Sequence, residues 1–190
     1  MAHRTKRPDK RRRFVTTRTA SERELSSPID IALHRAAALL PTERTELLGP
    51  VHAAFEAFRC GLGGIDPWAQ LADTMNIARE LAERQIASDH KATFQAAQDA
   101  LTAVYERAEA KGCWTLRGTE IAALDLAIFV FKVQLDNCSR GELGEAVTRV
   151  VNRITQARAG NAAPGVRVVD PYAMAASQAP RGGALMGAAA

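Results

Sequence analysis

Between residues 27 and 159 every strong apolar pattern recurs with the period of an α-helix, and no comparable run alternates with the period of a strand. That one feature confines the chain to an all-α fold. Ser27 with Pro28 reads as the N-cap and first residue of a helix that ends before Pro41. Thr42 is placed to cap a second helix, with Leu48, Val51, Phe55 and Phe58 on one face. Gly49-Pro50 is expected to kink that helix or split off a short first turn. The GLGG run at 61–64 ends it, and Asp66-Pro67 starts a third helix with Trp68, Leu71, Met75, Ala78 and Ala82 inward.

Ser88-Asp89 opens a fourth helix with Phe94, Ala97, Leu101, Val104 and Ala108 in register, stopped by Gly112. A fifth begins near Thr115 or Thr119 and runs to about Asn137. Ser139 and Glu142 form a capping box for a sixth, with Leu143, Val147, Val150 and Ile154 inward and Gly160 closing it. Six helices joined by short Gly, Pro and Ser loops imply antiparallel neighbours in one bundle. Residues 27–159 are therefore the expected domain.

The flanking segments have a different composition. Residues 1–26 are charged, interrupted by Pro8, and too poor in large apolar groups to offset the entropy of ordering, so they read as a disordered arm. Residues 160–190 read as a flexible tail rich in Ala and Gly and broken by Pro164, Pro171 and Pro180. Within that tail the run Val166-Arg167-Val168-Val169 is the one strand candidate, or a segment able to dock on the body.

The fifth helix departs from simple amphipathicity. Ile121, Leu124, Ile128, Phe131 and Leu135 form one apolar face. Leu126, Phe129, Val130 and Val133 form a second, across a narrow stripe of Asp125, Lys132 and Asp136. A helix apolar on both sides is either central in its bundle or lies between subunits. The second alternative makes Leu126, Phe129 and Val133 a homodimer interface, since they would otherwise leave an exposed apolar patch.

Residues that could carry chemistry do not assemble into a motif. Cys60, Cys113 and Cys138 are odd in number and far apart, and the four histidines show neither i,i+4 pairing nor a Cys partner at ligand spacing, so no metal site or disulfide framework is expected. The glycine run at 61–64 lacks the Lys-Ser/Thr of a phosphate-binding loop and reads as a helix connection. Asp125 reads as one half of a structural ion pair with Lys132 or a neighbouring arginine, and Arg79, Glu80, Glu83 and Arg84 read as a solvated face. The expectation is a protein without catalytic residues or cofactor. No apolar stretch approaches the roughly 18–20 residues of a membrane-spanning helix. Arg11-Arg12-Arg13 is followed by the polar run Thr16–Glu22 rather than an export core, which points to a cytoplasmic protein.

Charge is the remaining signal. Residues 1–23 carry nine basic groups against Asp9 and Glu22, a net of +7, while the other 167 residues hold 16 basic and 19 acidic groups. A flexible polycation on a mildly acidic body suits sequence-independent contact with the phosphates of DNA or RNA. The groups that would make it are Arg4, Lys6, Arg7, Lys10, Arg11, Arg12, Arg13 and Arg18. Docking of the arm on an acidic protein partner is the alternative, and a merely solubilising tail is a third.

The stretches Leu71–Ala82 (LADTMNIARELA), Gly112–Ala127 (GCWTLRGTEIAALDLA) and Gly141–Val150 (GELGEAVTRV) give residues 42–158 a resemblance to a loose group of short helical proteins encoded in phage and plasmid regions of bacterial genomes. The resemblance implies an accessory protein of a mobile element, and it transfers no functional residue. Its two expected roles are association with nucleic acid and the binding and modulation of a host protein.

Overall fold

The computed structural model describes residues 27–159, and both flanking segments, including the eight candidate phosphate-binding residues of the arm and the 166–169 run of the tail, lie outside the described residues. The domain is an all-α bundle of six helices: α1 (Pro28–Ala36), α2 (Pro41–Arg59), α3 (Ile65–Glu83), α4 (Lys91–Lys111), α5 (Gly118–Asn137) and α6 (Arg140–Arg158). A single 3-10 turn, Ser88–His90, leads into α4. Among the described residues there is no strand, only one bridge between Ala38 and Ser139 that ties the end of α1 to the start of α6.

Several helix ends differ from the sequence expectation. The α2 helix starts at Pro41 with Leu40 as its N-cap, because the Glu43 carboxylate accepts the Leu40 amide at 2.7 Å and Thr42 is not needed as a cap. It then runs through Gly49-Pro50 to Arg59 without a break. Both residues are exposed, so the hydrogen bond that Pro50 cannot donate is missing on the solvent side, where water can meet the carbonyl. The α3 helix begins at Ile65 behind Gly64, one residue before the expected Asp66. The Ser139–Glu142 capping box forms as expected: the Ser139 hydroxyl accepts the Glu142 amide and the Glu142 carboxylate accepts the Ser139 amide.

The centre of the bundle is α3. It packs against α2, α4, α5 and α6, whereas α1 leans chiefly on α6. Trp68, Leu71, Ala72, Met75, Ala78, Leu81 and Ala82 of α3 are all fully buried. Trp68 donates its indole N–H to the Leu101 carbonyl at 2.8 Å and sets its ring, tilted, 5.1 Å from Tyr105 and 6.3 Å from Trp114. This aromatic cluster fastens the start of α3 to α4 and to the loop before α5. Placing α3 at the centre removes the reading of α5 as the central helix.

The turn after α2 brings backbone against backbone. A Cβ at Gly63 would lie 2.3 Å from the Trp114 carbonyl oxygen and 2.7 Å from the Phe58 ring, while one at Gly144 on α6 would meet nothing within 4 Å. Gly63→Ala is therefore expected to destabilise the domain by about 1–3 kcal/mol. Gly144→Ala should stabilise it by up to about 1 kcal/mol, since alanine gives up less backbone entropy in a helix. Urea denaturation of both variants checks the contrast in sign.

Candidate functional site

Three polar latches hold neighbours onto α3. Toward α4, Arg79 donates to Gln95 and Gln98 at 2.8 and 3.0 Å, and Gln98 donates to the buried Asn76 at 2.8 Å. Toward α5, the buried Gln134 amide donates to the carbonyls of Ala78 and Ile86, both at 2.9 Å. Toward α6, Arg153 lies 2.6 Å from Glu80 and 2.9 Å from Glu83, with Arg149 at 3.5 Å from Glu80. Arg84, the residue that caps the C-terminus of α3, also pairs with Glu145 of α6.

The α6 latch corrects the expectation of a solvated face. The Arg79–Glu83 pair along α3 does form, at 3.5 Å, but Glu80 is only 1% exposed. Burial pushes the Glu80 carboxyl up, and the Arg153 guanidinium offsets this only in part. The sequence signal that would have found the latch is the i,i+4 pair Arg149 and Arg153 flanking the apolar face of α6. Its geometry is that of a helix clamp. Both partners belong to the bundle's own framework.

Glutamates also cap three helices, and two are gripped by distant arginines. Hydrogen bonds from Arg140 hold the Glu43 carboxyl below the usual carboxylate range. Burial raises Glu120, but the bidentate Arg107 guanidinium at 2.8 and 2.5 Å and the Arg117 amide at 2.8 Å outweigh it, and the carboxyl is held down. The Ser139 amide and hydroxyl do the same for Glu142. Burial pushes the Cys138 thiol up to about 11, so it is an inert core residue rather than a nucleophile. Among the described residues, no group of three or more His, Cys, Asp or Glu is placed to hold a metal ion.

The outer face of α5 exposes three large apolar side chains in a row along one helix. Leu126, Phe129 and Val133 are 52%, 62% and 38% exposed. Val130, read from the sequence as part of the same face, is instead buried in the core. Asp136 at the end of α5 pairs with Arg44 of α2. Asp125 and Lys132 are exposed, and neither forms the expected ion pair among the described residues. On α1, Ile29 and Leu33, four residues apart, are also exposed and form a smaller apolar stripe that sequence reading missed because the helix is short.

The capping and latch glutamates differ in their pH signatures. Glu120→Gln should cost about 3 kcal/mol at neutral pH, because Arg107 loses its anionic partner in a half-buried site. Glu120 sits below its ordinary value of 4.5 when folded. The wild-type advantage is therefore full above pH 4.5 and fades as pH falls through the folded value. Glu80 sits above its ordinary 4.5, so its contribution to stability declines as pH rises from there through the folded value. Glu80→Gln should flatten that decline, and a variant profile parallel to wild type between about pH 4 and 7 would contradict the assignment. Urea midpoints measured across that range supply the test.

No protein-family model, curated protein or solved structure matches this chain, so its function has to be read from its own residues.

Proposed function

We propose that this chain is a small non-enzymatic accessory protein of a mobile genetic element that associates with nucleic acid, meeting the phosphate backbone through Arg4, Lys6, Arg7, Lys10, Arg11, Arg12, Arg13 and Arg18 while the bundle supplies an assembly face. The observation that carries this reading is the allocation of cations. Nine basic groups fall within residues 1–23. In the body, by contrast, eight arginines stand in ion pairs with carboxylates: Arg44, Arg59, Arg79, Arg84, Arg107, Arg140, Arg149 and Arg153. Cations already neutralised by carboxylates attract phosphate weakly, so the polyanion contact is assigned to the segment whose basic groups outnumber its acidic ones nine to two.

The chemistry is that of counterion release. Lysine and arginine side chains displace condensed cations from the duplex, and the arginine fork matches phosphate oxygens with paired donors. Binding of this kind is steeply salt-dependent and largely blind to sequence. Two arms held on one assembly would raise the avidity through effective concentration without any further contact. A second reading, an accessory factor that binds and modulates a host protein, is favoured by the exposed Ile29 and Leu33 on α1, an apolar stripe that a phosphate contact would not use.

The test is affinity for a mixed-sequence duplex as a function of salt. With four to six side chains engaged, the log–log slope should be roughly −4 to −5, at about −0.9 per phosphate neutralised. Deleting residues 2–18 should remove most of that slope, and replacing Arg11, Arg12 and Arg13 with alanine should remove part of it. Undiminished binding by the arm-deleted chain would move the contact onto the helices. Absence of binding by the intact chain at low salt would overturn the nucleic-acid reading in favour of the protein partner.

A further inference from the structure

We propose that the outer face of α5 is shaped for a second copy of this chain, laid antiparallel across it with Phe129 on the two-fold axis, so that Asp125 of each copy meets the partner's Lys132. The inference deepens the reading of the bundle as an assembly face, and it holds or fails independently of nucleic acid.

The argument starts from how the exposed residues are distributed around the helix. At about 100° per residue, Asp125, Lys132 and Asp136 fall within about 40° of one another and form one edge of the exposed face. Leu126 and Val133 fall within about 20° of each other and form the opposite edge. Phe129 lies between them. The face is thus divided lengthwise into a charged edge and an apolar edge, and both edges are exposed. The charged edge is turned toward α2, because Asp136 pairs there with Arg44.

A two-fold axis perpendicular to a pair of helices reverses their direction but keeps each edge on its own side. Charged edge therefore meets charged edge, and apolar edge meets apolar edge. One register satisfies both edges. With Phe129 opposite the partner's Phe129, Asp125 comes level with the partner's Lys132 and Leu126 with the partner's Val133, each to within one residue, or about 1.5 Å of rise. Each copy contributes both members of the charge pair, so two equivalent ion pairs form. Asp136 is already neutralised by Arg44, which leaves Asp125 and Lys132 as the charges on this edge without a partner among the described residues. A parallel pair would instead set the charged edge of one copy against the apolar edge of the other.

Nucleic acid is a poor occupant for this face. It is apolar along one side and carries two carboxylates to one ammonium along the other. An unrelated apolar helix could cover Phe129, but it would not reproduce the reciprocal placement of one acid and one base seven residues apart on a single edge.

Sedimentation equilibrium of the full chain, without nucleic acid, tests the proposal. The wild-type protein should be dimeric at micromolar concentration. Asp125→Lys and Lys132→Asp each turn two attractions into two repulsions and should raise the dimer dissociation constant about tenfold or more at low salt. An equimolar mixture of the two variants should recover the association, because each then presents the sign that the other lacks. Phe129→Asp should give monomers with an unchanged helical circular dichroism spectrum, as expected for an exposed position. A wild-type chain that stays monomeric, or a mixture no more associated than its separate components, would overturn the proposal. Retained salt-dependent DNA binding by such a monomer would leave the role of the arm intact, and a dimer that binds no DNA would leave the interface intact.

Discussion

The packing of α3 among four neighbouring helices is the constraint on which the rest of the bundle depends. Its exposed residues are confined to Asp66 and Gln70 near its start, so the polar groups buried between helices further along it must find partners within the protein. Asn76 and Arg79 find theirs on α4, and Glu80 and Glu83 find theirs on α6. The Ala78 carbonyl accepts from Gln134 of α5. Each latch satisfies a buried group only when the neighbouring helix sits at one height and one rotation. Apolar packing by Leu71, Met75 and Leu81 gives the cohesion, and the polar pairs select the arrangement.

The same demand explains how the body disposes of its charge. Arginines that might have formed a basic surface are drawn onto carboxylates that cap helices or are buried between them, as Arg107 is on Glu120 and Arg140 on Glu43. The domain is left mildly acidic, and the cationic character of the chain is concentrated in its first 23 residues. On the proposed reading, association through the body and electrostatic attraction through the arm would fall on different parts of one small chain, and either could be altered without the other.

What the sequence made legible follows from how local each signal is. The six helices and their inward faces are visible in the 3.6-residue period, and the Ser139–Glu142 box is visible because both halves lie within one turn. The exposed trio Leu126, Phe129 and Val133 was also legible, since period alone placed it opposite the buried face. The position of α5 at the side rather than the centre was not, because two apolar faces fit either place and only the packing of α3 decides between them. Glu80 was misread for a related reason. Its charge and its neighbours Arg79 and Arg84 resemble a solvated i,i+4 face, and the partners that allow its burial, Arg149 and Arg153, lie about seventy residues away. Capping by Glu43 rather than Thr42 likewise depends on Arg140, far along the chain.

The claim underlying this account is that α3, and not α5, is the hub of the domain. Native-state hydrogen exchange reads this directly, because amides of the most enclosed element exchange only through global unfolding. The slowest amides should lie between Leu71 and Leu81, with protection equal to the global unfolding free energy, while those of α1 should exchange by local opening. If the slowest amides instead lie in α5 and α3 opens well below the global free energy, the hub is misplaced, and with it the argument that the outer face of α5 is left free for a partner.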